Sequence, residues 1–233
     1  MDDLNRNKFF ILLRMNQIKL VILKEDNQIL FEKDLKTYDR NLEETLISLK
    51  KFLENSILEL EKKFKFYIKN INLIIDHDFF IFTDVSSINN YKNISEQSTV
   101  TPSYLVNIKD YVLKSVKDYN LIHMIINRFI VDGKDYPFIP KESNFENIFL
   151  EIKFILLKKN TIKNLKNIFS RYEIYIDRIF NYEYVNNFRN SKLDNIFDLA
   201  DKLGNGLNQN EIIFIKKPQE KRGFFEKFFN FFR

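Results

Sequence analysis

Seven apolar residues recur at three- and four-residue steps between positions 42 and 64: Leu42, Leu46, Leu49, Leu53, Ile57, Leu60 and Phe64, with Glu and Lys among the residues between. That spacing predicts one long helix with a single buried stripe. A coiled coil is the rival, but about three heptads with one stripe are marginal for it. The stripe needs an apolar surface to cover, and the flanking sequence supplies one. Phe9–Met15, Ile18–Lys24 and Ile29–Leu35 read as three strands of a meander, joined at Asn16-Gln17 and Glu25-Asp26-Asn27. Ile71–Ile75 and Phe79–Phe82 read as further strands, split by Asp76-His77-Asp78. A helix lying on a sheet built largely of its neighbours in sequence makes the class α+β.

From Val85 to Val100 the chain turns polar and rich in Asn and Ser, which marks a boundary. Thr101-Pro102 opens a second helix to about Lys117, with Thr as N-cap and Pro at the first helical position. Leu105, Ile108, Val112 and Val116 share one side of it. Leu121–Val131 and Ile148–Lys158 are expected strands, separated by an Asp132-Gly133-Lys134 turn and a Tyr136–Ser143 loop. Asn160 is expected to cap a helix to Arg171, and Ile174–Ile179 to form a closing strand. Leu193–Leu203 reads as a short helix ending at Gly204. On this basis residues 1–84 form a first unit and 85–180 a second, with 181–215 an irregular remnant and 216–233 a linker and terminal helix.

Composition narrows the chemistry. The 233 residues are 45% hydrophobic, enough for real cores. There is no Cys, which removes disulfides, thiolate catalysis and Cys-based metal sites and fits a reducing compartment. Of four Gly, only Gly204 and Gly206 are close, and they lack the spacing and the following Lys-Ser/Thr of a phosphate loop. Phe9–Leu13 is too short for a signal-peptide core or a membrane span. Alternation along a strand puts Asp76 and Asp78 on one side and His77 on the other, so the cluster reads as a polar break rather than a metal site. His123, between Ile122 and Met124, reads as a packed core histidine with no acid or nucleophile at a recognisable spacing. Lys158, Lys159, Lys163 and Lys166 read as a solvated helix face. No catalytic residue, cofactor or metal is expected.

The C-terminus stands apart. On a helix, Phe224, Phe225, Phe228, Phe229, Phe231 and Phe232 fall within an arc of about 160°, with Glu226, Lys227, Asn230 and Arg233 on the other side. Residues 216–233 carry a net charge of +4, against +5 for the whole chain. A short helix with an aromatic face and a basic polar face suits a membrane interface. Concentrated basic charge favours anionic lipid over nucleic acid, which would draw a basic stripe on the body. Lys221, Arg222, Lys227 and the six Phe are the expected membrane contacts. Packing of the Phe face on the chain's own core, or in a partner's groove, are the other readings.

Ile122-His123-Met124-Ile125 followed by Phe129-Ile130-Val131-Asp132-Gly133 resembles the strand motif H-V-I-P-Q-E-Y-x-V-D-G of the bacterial cell-division actin homologue FtsA. Val100-Thr101, the Ile148–Leu157 strand, Asn164-Leu165 and the basic–aromatic tail are similar to its flanking segments. The resemblance covers about residues 8–180 and 216–233. It implies part of an actin-like (ribonuclease H-like) subdomain 1A, joined to the inserted subdomain 1C, or SHS2, and a membrane-targeting amphipathic helix. Ile126, Asn127 and Arg128 depart from the family's Pro, Gln and Glu. Leu13-Arg14-Met15-Asn16 stands where the family has an acidic, glycine-containing phosphate loop. The stretch after Ile179 reads as too short for the family's second half, where the family's tubulin-like partner docks.

The expected function is a non-enzymatic peripheral adapter at the cytoplasmic face of the inner membrane. It would couple a divisome protein or tubulin-like division polymer, or a full-length relative, to anionic lipid, without nucleotide or nucleic acid. Asp132, Gly133 and Lys134 are the expected partner contacts. A pilus-assembly platform protein of the same superfamily and a residual ATP-binding actin-like protein are the alternatives.

Overall fold

The computed structural model describes residues 7–65, 67–76, 78–90, 102–138, 146–191 and 194–214. The basic–aromatic stretch 216–233 and the expected membrane contacts in it lie outside the described residues, as does His77.

The expected meander forms as β1 (Lys8–Arg14), β2 (Gln17–Leu23) and β3 (Ile29–Lys36), followed by α1 (Leu42–Phe64) and β4 (Asn70–Asp76). Asn41 caps α1 by accepting the Glu44 backbone N–H at 3.0 Å, and Glu44 reaches back to the N–H of Arg40 at 2.8 Å. The first bond satisfies a donor that a helix start otherwise leaves orphaned, and the second ties down the residue before the cap. Leu46, Leu49, Leu53, Ile57 and Leu60 are buried as the spacing predicts, and each contributes roughly 1.5–3 kcal/mol by leaving water.

The chain continues through β5 (Phe80–Asn90), α2 (Pro102–Ser115), β6 (Tyr119–Val131), β7 (Lys134–Tyr136) and β8 (Asn147–Lys158). Then come α3 (Lys159–Ser170), β9 (Tyr175–Asn181), α4 (Tyr182–Asn186) and α5 (Ile196–Gly204). One sheet has the order β3-β2-β1-β4-β9, the other β5-β8-β6-β7. In the first sheet β4 runs parallel to both β1 and β9, while β1–β2 and β2–β3 are antiparallel. This is a ribonuclease H-like strand order, the one that the actin-like expectation calls for. A strand–helix–strand–strand unit, with β7 as an extra edge, is inserted between its fourth and fifth strands.

The unit boundaries differ from those read in sequence at both ends. β5 begins at Phe80 and runs to Asn90, through the stretch read as a boundary, and it belongs to the second sheet. Thr, Asp and Ser are interspersed on it with Phe, Ile and Val without strict alternation, a composition that a half-exposed strand shares with a linker. Helix α3 packs on β9, and β9 pairs with β4, so both belong to the first sheet. Asn160 does not cap α3. The helix starts at Lys159 and its N-cap position, Lys158, makes no side-chain capping bond. The stretch 181–215 is no remnant: Tyr184, Val185, Phe197, Leu199, Ala200 and Leu203 are buried in the first core. Phe197 meets Phe10 edge-on at 6.0 Å, and Lys8 pairs with Asp201 at 2.6 Å.

The second sheet is shared between two cores. Met124, Ile126, Phe154 and Leu156 face Leu105, Ile108 and Val112 of α2. Ile125, Ile155 and Leu157 belong to the core of the first unit. Burial on both faces explains why β6 and β8 read as continuous apolar runs rather than alternating ones.

Candidate functional site

Among the described residues, two clusters of polar side chains bear on a candidate site. The first lies at the carboxyl ends of β1 and β4, where open parallel sheets commonly hold ligands. Arg14, the last residue of β1, pairs with Asp76, the last of β4, at 2.7 Å. Its guanidinium sits 4.7 Å from the ring centroid of Tyr182, which follows β9 directly. The β1–β2 connection is a tight turn at Met15-Asn16, with Thr37 donating from its hydroxyl to the Met15 carbonyl at 2.8 Å. An ion pair and a stacked ring therefore occupy the strand ends, and the Leu13–Asn16 stretch presents no glycine to a phosphate.

The second place is the junction of the two sheets. His123 on β6 and Glu211 are buried, their Nδ1 and Oε1 atoms 2.8 Å apart. The His123 Nε2 accepts the backbone N–H of Asn181 at 3.2 Å, so the ring proton sits on Nδ1 and is donated to Glu211. Glu211 Oε1 also accepts from Arg178 at 3.1 Å, and Oε2 from the Tyr184 hydroxyl at 2.8 Å. Asn208 donates to the Tyr184 oxygen at 3.0 Å, and Arg178 to the Gly204 carbonyl at 2.9 Å. The backbone adds Ile126 N–H to Asn210 O at 2.9 Å and Ile212 N–H to Met124 O at 2.8 Å, closing a short antiparallel bridge along β6.

A bulge aims the histidine. Leu121 pairs with Leu156 and His123 with the adjacent Ile155, leaving Ile122 as the extra residue. The bulge reverses the alternation, so His123 turns into the junction while Leu121 packs on the α2 side.

Burial lowers the pKa of His123 despite its bond to the Glu211 carboxylate, and the ring is uncharged at neutral pH. Burial alone would raise the Glu211 pKa. The bond from His123, the charge of that ring when protonated, the bond from Tyr184 and the charge of Arg178 outweigh it, so the carboxyl lies below its ordinary range. Burial, then the charge of Glu211, raises the Tyr184 hydroxyl. Glu211 and Arg178 thus balance in charge, and both imidazole nitrogens are engaged. The cluster holds four stretches of chain together rather than offering an open acid, base or nucleophile. Sequence reading placed His123 correctly as a packed histidine and missed its partner, which lies 88 residues away.

This wiring fixes a pH dependence. Both carboxyl and imidazole bind protons less readily folded than unfolded, so the unfolded chain takes up protons first as pH falls. The stability that His123 contributes is complete above its ordinary value of 6.5 and is lost as pH falls from there towards its lowered folded value. Glu211 adds a second loss below 4.5. We expect urea midpoints to decline from about pH 6.5 downward, and His123→Gln to remove the upper part of that decline. An unchanged profile in the variant would show that His123 is not its source.

The expected partner contacts sit elsewhere. Asp132 and Gly133 have φ of +47° and +79° and form the two-residue turn between β6 and β7, as Asp-Gly does in right-twisted hairpins. Asp132 Oδ1 accepts the backbone N–H groups of Glu146 and Asn147 at 3.0 and 2.8 Å, a structural role. Lys134 is exposed at the start of β7. Lys158, Lys159 and Lys163 border an open hollow with Asp118. Beside the junction, Phe82, Ile125, Ile155 and Phe188 line a cleft of about 200 Å³, smaller than the about 300–1,000 Å³ of ordinary small-molecule sites. Among the described residues no helix is long and apolar enough to cross a membrane, and no acidic or histidine group is arranged to hold a metal.

No family model and no curated protein matches the chain. Solved structures do. The cytoplasmic domain of EpsL, an inner membrane component of the type II secretion system of Vibrio cholerae, is 7% identical, with a TM-score of 0.38 over 80% of this chain and 59% of its own. The PilM–PilN type IV pilus biogenesis complex is 9% identical, with a TM-score of 0.48 over 76% and 48%. A Bacteroides thetaiotaomicron protein with an actin-like ATPase fold and unknown function is 13% identical, with a TM-score of 0.36 over 81% and 58%. This chain spans about half to three-fifths of the length of those it resembles. With TM-scores below 0.5 throughout, the fold assignment stands on the strand order.

Proposed function

We propose that the chain is a non-enzymatic platform protein held peripherally at an anionic membrane surface, where it supports a pilus- or secretion-type assembly. The division adapter implied by the FtsA resemblance is the second reading. One observation carries the membrane part: +4 of the +5 net charge and six one-sided Phe fall within residues 216–233. The occupied strand ends at Arg14, Asp76 and Tyr182 support a role without nucleotide. The pilus and secretion context comes from what EpsL and PilM–PilN are described as belonging to.

An interfacial helix buries each Phe only in part, so each gives less than the roughly 1.5–3 kcal/mol of full burial. Each basic residue near an anionic leaflet adds about 1 kcal/mol. Ordering the backbone offsets much of this, which leaves a reversible anchor. Full-length protein should co-sediment with anionic liposomes and be released by salt. Phe228→Asp should move most of it to the supernatant, and a Lys221→Glu, Arg222→Glu, Lys227→Glu variant should bind anionic vesicles more weakly, both with unchanged melting temperature. Wild-type sedimentation by Phe228→Asp, or a melting temperature lowered by many degrees, would place the Phe face in the protein core instead.

A further inference from the structure

The outer edge of β5 carries a feature that neither the junction nor the tail explains. β5 is 11 residues long and pairs over its whole length with β8 on one side. Among the described residues no strand pairs with its other side. Proteins usually blunt such an edge with Lys, Pro, a bulge or a short length. β5 has no Lys, Arg or Pro, pairs with β8 without a register shift, and bears one charge, Asp84.

Its exposed residues are arranged about a centre. Ile81 and Val85 pack towards α2, and the Ser87 hydroxyl lies 2.6 Å from that of Tyr104 on the same helix. The opposite face presents Phe82, Asp84, Ser86 and Ile88. Phe82 is 45% exposed and Ile88 66%. The two apolar residues stand three positions either side of Val85, and Asp84 and Ser86 one position either side. An antiparallel copy of the strand, related by a two-fold axis at Val85, sets Phe82 opposite Ile88 and Asp84 opposite Ser86, twice each. No like charges meet, and each carboxylate faces a hydroxyl. The rows continue inward: Ile88 lies beside Phe149 of β8, and Asp84 beside Lys153.

We propose that β5 pairs with β5 of a second copy of this chain, joining two four-stranded sheets into one of eight strands. The occupant is a second copy because the edge is complementary to itself in both apolar and polar positions, and isologous pairing of this kind closes as a dimer.

The absence of native Cys makes the register directly readable. In the proposed pairing Val85 meets its own copy at about 4.5–5.5 Å between Cα atoms, within reach of a disulfide. The two copies of Ile88 lie six residues apart along the strands, about 20 Å. Oxidised Val85→Cys should therefore run as a covalent dimer, and Ile88→Cys as a monomer. Sedimentation of the full chain in nonionic detergent, which masks association through the tail, supplies the second measurement. Wild type should dimerise at high micromolar concentration. Ser86→Asp places like charges opposite each other twice and should weaken the dimer by roughly ten-fold, whereas Ser86→Lys faces Asp84 and should match or tighten it. A wild-type monomer at all concentrations, as when residues 91–101 of the same chain cover the edge, would overturn the proposal. So would equal effects of Asp and Lys at position 86, or cross-linking of Ile88→Cys as efficient as that of Val85→Cys.

Discussion

Glu211→Ala is expected to lower the stability of the folded chain by about 3–5 kcal/mol, the range for removing one partner from a buried charged network. The reason is what it leaves behind. Arg178 loses its carboxylate, and the donors of His123 and Tyr184, each buried, lose their acceptor. Unsatisfied buried groups cost more than the bonds they lost were contributing. For a chain of this size about 2–4 °C accompanies each kcal/mol, so a loss of roughly 6–20 °C in Tm should be seen. Glu211→Gln keeps an acceptor oxygen but removes the charge opposite Arg178, and it should fall between wild type and Ala. A loss below about 1 kcal/mol for Glu211→Ala, as for an exposed ion pair, would mean that apolar packing alone fastens the junction.

Phe154→Ala should cost a similar amount, about 3–5 kcal/mol, by opening a cavity in the second core. Phe154 is fully buried in β8, between β5 and β6. More telling is the form of the transition. Its neighbours along the strand alternate between cores: Ile155 and Leu157 serve the first, Phe154 and Leu156 the second. Damage to one core is therefore felt by the other. Circular dichroism and tyrosine fluorescence should report one coincident transition in the variant as in wild type. Two separated transitions would show that the inserted unit folds independently and that the shared strands do not couple the cores.

The helical stripe of α1 and the apolar runs of β1, β2, β4, β6 and β8 are legible in the sequence because burial patterns with a fixed period survive translation into structure. So is the Asp132-Gly133 turn, whose conformation follows from residue type. The ownership of α3 and β9 is not legible. Local pattern makes them a helix and a strand but says nothing of which sheet they join, and that choice depends on a pairing with β4 about a hundred residues upstream. The extent of β5 was hidden for a related reason, since a strand half open to solvent shares its composition with a linker. The junction escaped because its parts, His123, Arg178, Tyr184 and Glu211, carry no common spacing. A bulge at Ile122 also breaks the alternation that would have aimed His123. An acidic residue beside an isoleucine run, as Glu211 stands before Ile212 and Ile213, is a faint signal of a buried carboxylate. It becomes informative only once a histidine and an arginine are known to face it.

The position of Glu211 in the chain has a mechanical consequence. It is the last charged residue before the basic stretch, five positions ahead of Lys216. Its side chain grips Arg178 of the first sheet and His123 of the second, while Ile212 is bonded to Met124 and Phe214 lies under Lys109 of α2 at 4.4 Å. Tension drawn through the C-terminal stretch arrives first at this fastening and is divided there between both sheets, before the core strands of either begin to shear. In the proposed membrane-bound state, residues 216–223 would reach at most about 29 Å when fully extended. A surface-bound tail would so keep the body on a short lead, and a pull strong enough to draw Glu211 out would loosen the hold between the two sheets at the same moment.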